Sequence, residues 1–389
     1  MRILIVHNIL NDSVSVSGVL KHYAFMANAW IEAGHQTDFV VAKAGFTQLR
    51  QLSPEAGLIS SDNLFDATKN MSKTWQNMPA FLWRMWNAHW LRLREKYDVV
   101  YASGPFIFEV YAARVLAGRL RVKWVAKVQH VLHSQPKRDG IFNRMFLQSE
   151  RISARWMNRR AAVIMCLSKV VQDDYRALEE EMNLTPAKTV QVGCGIDFEA
   201  MIDGSGENKE FDVVFLGRIH EQKGVFDLPR TWNAVIKKRP KAKLLIIGSG
   251  PHREAMEARL KELGLSDSVT VAGSVDEAEK NRLLARSRVG ISLSYEEGWG
   301  LSVTEFLAAG MPVVAYRLPV FDQVFPDQLE LVPPGEAEAA GDEILGLLEN
   351  EQRRRDRGAA GREFARKYDF RAIAEEELQT LRTAIEDSQ

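Results

Sequence analysis

A chain of 389 residues, 46% hydrophobic and 26% charged, exceeds the usual span of one domain and reads as an ordinary globular protein of about two. No apolar run approaches the roughly 20 residues that a membrane-spanning helix needs, and two cysteines, Cys166 and Cys194, exclude a disulfide framework or a cysteine-rich metal site. The formal net charge of zero conceals an asymmetry: residues 1–200 hold 25 Lys and Arg against 18 Asp and Glu, the remainder 26 against 33, so the first half leans toward anionic partners or surfaces.

The opening MRILIVHNIL holds one Arg and a short apolar run that meets His7 and Asn8. It lacks the apolar core and small-residue cleavage site of a secretory signal, and a cytoplasmic location is expected. It predicts a strand over 2–8, followed by strands at 37–42, 98–103, 123–129 and 162–168, with helices at 18–33, 78–96 and 105–118. The polar, glycine-containing DGSGENKE, 203–210, interrupts this pattern and reads as a hinge. Strands resume at 212–217, 243–248, 268–273, 289–294 and 312–316, and an amphipathic helix from about Asp369, with Ile373, Leu378 and Leu381, closes the chain. Strands alternating with helices imply parallel sheets, and the restart near 211 favours two of them. The expected domains are 1–202 and 211–368, with 369–389 packing back on the first. Open α/β sheets bind ligands beyond the carboxyl ends of their strands, so two such domains face to face imply a site in the cleft.

Four stretches carry chemistry. EEGWGLSVTEFLAAG, Glu296 to Gly310, follows a buried strand and opens a helix. Gly298 and Gly300 allow close backbone approach, the helix start offers N–H donors, and Glu305 suits a pair of vicinal hydroxyls, with Glu297 near a second ring. LGRIHEQKG, 216–224, sets Arg218 and Lys223 between Gly217 and Gly224 at a strand end, a pair of cations suited to a diphosphate. IIGSGPHRE, 246–254, is a glycine turn but not a dinucleotide fingerprint, because Arg253 stands where a third glycine belongs. VAKVQHVLHSQ, 125–135, ends a strand with His130 and adds His133, donors for a substrate oxygen. Each has a plain alternative: a tight turn, a solvated basic loop, or a histidine satisfied by local backbone.

Taken in order, these stretches resemble the retaining glycosyltransferases of family 4, whose fold is GT-B: two Rossmann-like, doubly wound domains. The donor signature of that family is matched by E-G-W-G-L-S-V-T-E-F-L-A-A-G-M-P-V-V from Glu297 to Val314, its G-R-x-x-x-x-K-G by Gly217 to Gly224, and its G-x-G-P by Gly248, Gly250 and Pro251. The turn that closes the first domain is matched by Cys194-Gly195-Ile196-Asp197, a strand-ending serine by Ser168, and the GG…GH pattern by Gly18 and Gly34-His35. The family often has Phe at Trp299, Pro at Ser302, Asn at Cys194 and a second glycine at Ser17; the last departure bears on a phosphate role for Gly18.

The resemblance implies a hexosyl transfer from a nucleotide sugar to an acceptor hydroxyl, with retention, in polysaccharide, glycolipid or other glycoconjugate synthesis. It implies that Glu305 binds ribose, Arg218 and Lys223 neutralise the leaving diphosphate, and Glu297, with the backbone of Gly298, Trp299, Gly300 and Leu301, contacts the transferred sugar. His130 would lie over that sugar, and Gly18 and Gly217 near the phosphates. The leaving phosphate would accept the proton of the acceptor. The chain contains no D-x-D motif, so no metal or other cofactor is expected.

The first half also carries basic, aromatic stretches. In FLWRMWNAHWLRLREK, 81–96, a continuous helix would align Trp83, Trp86 and Trp90 near Arg84, Arg92, Arg94 and Lys96; residues 137–160 hold seven Lys and Arg against two acids, with Phe142, Phe146 and Trp156 among them. Either these aromatics face the core or the stretch lies at an anionic membrane surface, which would suit a lipid-linked rather than a free sugar acceptor. No nucleic-acid partner is expected. A nucleotide-dependent oxidoreductase would need G-x-G-x-x-G, which neither half shows; a sugar phosphorylase or epimerase, or a non-catalytic sugar-nucleotide binder of the same fold, remains the alternative to a transferase.

Overall fold

Buried apolar runs alternating with longer helices build two separate all-parallel sheets in a computed structural model that describes residues 1–8, 18–61, 74–134, 141–204 and 209–386. The first sheet contains β1 (Arg2–His7), β2 (Gln36–Val41), β3 (Gly57–Ser60), β4 (Val99–Ala102), β5 (Lys123–Val128), β6 (Ile164–Cys166) and β7 (Thr189–Gln191). The second contains β8 (Phe211–Leu216), β9 (Leu244–Ile247), β10 (Val269–Gly273), β11 (Ser287–Ser292), β12 (Val313–Tyr316) and β13 (Glu330–Val332). Their orders are β3-β2-β1-β4-β5-β6-β7 and β10-β9-β8-β11-β12-β13. Each sheet therefore grows outward in both directions from its first strand, the doubly wound arrangement. Burial on both faces explains why the central strands are continuous apolar runs rather than alternating ones. In the second sheet Val213, Phe215, Leu244, Ile246, Val289 and Ile291 pack with Trp232 and Leu347 of the flanking helices.

All ten strands read from the sequence are present. The three it missed, β3, β7 and β13, are short edge strands of partly buried residues.

The chain divides differently from the expectation. One unit comprises Met1–Gly195 and Phe370–Gln389, the other Ile196–Asp369. Residues 196–202 therefore belong to the second unit, and the described part of 203–210 is tied into that unit by hydrogen bonds. Gly204 N–H donates to Ala309 O at 3.0 Å, Lys209 Nζ reaches Ala285 O and Ser287 O at 2.9 and 2.7 Å, and Glu210 N–H donates to Arg286 O at 2.8 Å. Residues 205–208, Ser17 and residues 137–140 of the basic stretch lie outside the described residues. The division instead falls at the Cys194–Asp197 turn: a Cβ on Gly195 would lie 2.5 Å from Phe370 Cα in the first unit, while Ile196 bridges to Asp369 in the second. The closing helix Phe370–Glu386 packs on the helix Gly18–Glu32 of the first unit.

The helix expected over 78–96 is shifted and shorter. The helix runs Thr74–Asn87 and then gives way to turns. Arg119 takes up carbonyls at its end, donating to Ala88 O and Leu91 O at 2.6 and 3.0 Å, so the three tryptophans do not share one helical face.

Candidate active site

In the second unit the strand order reverses between β8 and β11, and that switch point is where a doubly wound sheet leaves a ligand crevice at its carboxyl edge. The loop after β8 holds Gly217 to Gly224, and the loop after β11 holds Leu293 to Gly300. They are built against each other. Tyr295 N–H donates to Gln222 O at 2.9 Å, and Gly224, at φ +66°, passes so close to Leu293 that a Cβ would sit 2.0 Å from its carbonyl oxygen. The 246–254 glycine turn joins from the other side: a Cβ on Gly248 would lie 2.0 Å from Gly217 O.

This contact brings the predicted residues together. Lys223 Nζ lies 2.5 Å from Glu297 Oε1, which also accepts from Ser294 Oγ at 2.9 Å. Lys223, expected to meet a diphosphate, thus holds Glu297 in this structure, while Arg218 is exposed at the same strand end. Gly300 caps the helix Leu301–Ala308 in a left-handed conformation, φ +107°, and its missing Cβ would otherwise approach Phe321 Cε1 to 2.7 Å. It offers no capping side chain, so the first N–H groups of that helix, starting at Leu301 beside half-buried Gly298, are donors for an anion or a hydroxyl.

Glu305 occupies the second turn of this helix and is buried. Lys280, from the helix Glu277–Ala285, donates to its Oε1 at 2.5 Å and to Glu277 at 2.7 Å. The sequence reading missed Lys280. Its surroundings, DEAEKNRLLARS, look like a solvated helix face, and nothing in that spacing signals a buried cation.

Trp299, expected to serve a ligand through its backbone, turns its side chain into the protein. Its indole is 7% exposed, donates to Thr304 Oγ1 at 3.2 Å and packs edge-on to Tyr368 and Phe325. Its side chain is part of the aromatic core beneath the turn, leaving its backbone for a ligand.

In the first unit, His130 follows β5 and is partly buried, its ring edge-on to Phe106 at 6.1 Å. His133 sits beside Glu150, Arg151 and Glu181. Gly18 begins the helix Gly18–Glu32, and Ser168 caps the helix Lys169–Glu181, accepting from Val171 N–H at 3.3 Å. The tryptophan stretch is divided: Phe81 and Arg84 are buried, Arg84 donating to Asn8 O at 3.0 Å, and Trp83 is partly buried, whereas Trp86 and Trp90 are 52% and 60% exposed. Their rings touch at 5.3 Å and continue through His89 and Tyr111 to Trp156, over which Arg114 stacks. Arg92, Arg94 and Lys96 are exposed nearby in sequence.

Two doubly wound parallel domains, with paired cationic and acidic loops at the switch point of the second, define the GT-B class. Solved structures agree on the fold: sucrose-phosphate synthase from Thermosynechococcus elongatus superposes at a TM-score of 0.80 with 20% identity over all of both chains, and HepE of Anabaena, in complex with UDP and glucose, at 0.75 with 17% identity over 98% of this chain and 100% of that one. The chain belongs to the group 1 glycosyl transferases, glycosyltransferase family 4: the family description "Glycosyl transferases group 1" matches residues 197–364 and "Glycosyl transferase 4-like domain" residues 17–195. Among named relatives, a phosphatidyl-myo-inositol mannosyltransferase of Mycobacterium leprae is 33% identical over 175 residues, 44% of this chain and 46% of that protein. A sulfoquinovosyl transferase of Arabidopsis thaliana is 27% identical over 298 residues, 72% of this chain and 55% of that protein. The chain thus spans about half the length of these relatives.

Proposed function

We propose that this protein transfers a glycosyl group from a nucleotide sugar to an acceptor hydroxyl, with retention and without a metal. The observation that carries the reading is the meeting of Lys223 and Glu297 at the β8/β11 switch point, on the loop that leads into the helix of buried Glu305. In this scheme the Glu305 carboxylate takes the ribose hydroxyls, and the N–H groups after Gly300 take the sugar or phosphate oxygens. Arg218 and Lys223 oppose the charge that grows on the diphosphate as the glycosidic C–O bond breaks; fixed cations at a leaving group are the strongest stabilising element available here. The acceptor oxygen forms the new bond on the face the diphosphate leaves, and its proton passes to a leaving phosphate oxygen. His130 is assigned to the transferred sugar, and Gly18 to the donor phosphates, by the family resemblance.

A UDP-sugar is the first donor to test, because HepE of Anabaena binds UDP and glucose. The acceptor is read from the Trp86–Trp90 surface. Exposed tryptophans with neighbouring cations suit the interface of an anionic membrane, and therefore a lipid-linked acceptor. No helix among the described residues is long and apolar enough to cross a membrane, so such an association is peripheral in this reading.

The test is thermal unfolding with UDP-, GDP-, ADP- and dTDP-sugars in EDTA, for wild type and Glu305→Ala. A donor at 100 times its dissociation constant adds about 2.7 kcal/mol. Stabilisation by one nucleotide class, lost in the variant and followed by turnover with an acceptor, supports the proposal. Binding without turnover on any acceptor, with membranes included, would make the protein a non-catalytic sugar-nucleotide binder.

A further inference from the structure

His130 does not stand alone at the carboxyl edge of the first sheet. One face of the helix Ile141–Arg160 supports it from two directions. Glu150 accepts Leu132 N–H on Oε1 at 2.7 Å and His133 N–H on Oε2 at 3.1 Å, so a single carboxylate holds the turn that immediately follows His130. Phe146, four residues earlier and hence on the same face, packs edge-on to Phe106 at 5.6 Å, and Phe106 packs in turn on the His130 ring. Ser149 Oγ accepts Ile107 N–H at 3.0 Å and fixes the start of the helix that follows Phe106. The loops after β4 and β5 are therefore braced by one helix, and the brace on the His130 turn rests on one carboxylate.

We propose that Glu150 is a positioning residue of the transferase site: its ionised carboxylate sets the backbone of the 130–134 turn and, through it, the placement of His130. This inference rests on the assignment of His130 to the transferred sugar.

A buried carboxylate receiving two backbone N–H groups has no neutral substitute of equal value, because a protonated acid loses acceptor capacity and turns a donor toward one of them. Burial pushes the Glu150 carboxyl up to about 7, against the lowering effect of the Leu132 and His133 N–H groups. The groups around it are His133 at 3.6 Å, Arg151 and Glu181 on the far side of that imidazole, and Asp174 and Tyr175 of the neighbouring helix. Asp174 braces the same turn by accepting from Ser134 Oγ at 2.7 Å. Below about pH 7 the carboxyl takes up a proton and the turn loses its brace; above it the turn is held.

Glu150→Gln keeps the shape and removes the charge. It is expected to lower kcat/KM up to about 10²-fold, the scale of an ångström-level misplacement, and to flatten the fall in activity expected of wild type as pH drops through 7. Stabilisation by the donor nucleotide is expected to stay unchanged. In a His130→Ala background the same substitution should cost little more, because Glu150 acts through His130. If His130→Ala is impaired while Glu150→Gln turns over like wild type with an unchanged pH profile, the inference is overturned; if His130→Ala itself is fully active, the assignment of His130 fails instead. A readout without turnover separates the two. In protein labelled with ¹⁵N at Leu and His, the Leu132 and His133 amide resonances should titrate near pH 7 in wild type and not in Glu150→Gln. Amides that do not move in wild type would overturn the brace whatever the activity.

Discussion

Lys280 and Glu305 form a buried ion pair, with Nζ 2.5 Å from Oε1 and each side chain less than a tenth exposed. Removing one partner of such a pair leaves a charge without compensation, at a cost of about 3–5 kcal/mol. Lys280→Met should therefore lower the urea midpoint sharply and abolish stabilisation by the donor nucleotide. Adding Glu305→Gln to it removes the stranded charge, so the double variant should regain most of the stability while still failing to bind. Additive losses in the double variant would show that the two groups are uncoupled, and would remove Lys280 from the donor site.

Arg218 and Lys223 are asked to act on a charge that appears only as the donor breaks. Arg218→Ala and Lys223→Ala should each lower kcat by about 10²-fold or more, the scale seen when a fixed transition-state donor is removed. kcat and kcat/KM should fall together, because the interaction is absent from the ground state. The two residues differ in their surroundings. Arg218 is exposed, whereas Lys223 also holds Glu297, so Lys223→Ala alone should change discrimination between donor sugars. A variant with wild-type turnover would take its residue out of the mechanism.

Gly300 is fixed by geometry, with φ at +107° and Phe321 where a Cβ would stand. Gly300→Ala should cost about 1–3 kcal/mol, the range for a residue forced into a rare backbone region, and weaken donor binding by shifting the helix start. Gly118→Ala is the control. That glycine lies inside the helix Ile107–Leu120 with no neighbour within 4 Å of a Cβ, and the substitution should stabilise by roughly 0.5–1 kcal/mol. Chemical denaturation of both variants checks the contrast, and equal effects would refute it.

These contacts also show why the sequence was readable in some places and not in others. Central strands carry their own signal, because burial on both faces forces apolar runs such as ILIV in β1 and LLII in β9. Glu330–Val332 lacks it, since three residues, two of them only partly buried, show no period. The glycine and charge spacing of 216–224 and 296–310 was legible because strand-end loops must satisfy local backbone geometry. Lys280 was not, because its partner lies 25 positions away and only the packed structure buries it. The 203–210 stretch looked like a linker by composition, yet Lys209 ties it to Ala285 and Ser287 through hydrogen bonds that composition does not encode. Trp299 sits within the donor motif, but its side chain answers to Tyr368 and Phe325, far along the chain.

Lys127 and Glu377 join β5 to the closing helix in the interior of the first unit, where Tyr101 donates to Glu377 Oε2 at 2.8 Å and His22 Nε2 lies 3.2 Å from Oε1. Burial alone would raise the Glu377 carboxyl, but Lys127 and His22 override it and hold the group at about 2. A carboxyl lowered from 4.5 contributes stability that is fully present above the unfolded value and disappears as pH falls toward 2; the difference is on the order of 3 kcal/mol. His22 acts in the same direction. Burial, then Lys127, lower its imidazole, so the unfolded chain binds a proton near pH 6.5 that the folded one does not, and the loss begins there. The urea midpoint should therefore decline from about pH 6.5 and steepen below 4.5. Lys127→Met/Glu377→Gln should lose the steep part and keep the shallower decline from buried histidines, His22 and His7, the latter lowered by burial to about 4. An identical pH slope in wild type and the double variant would mean that the cluster is open to water and does not tie the closing helix to the first domain.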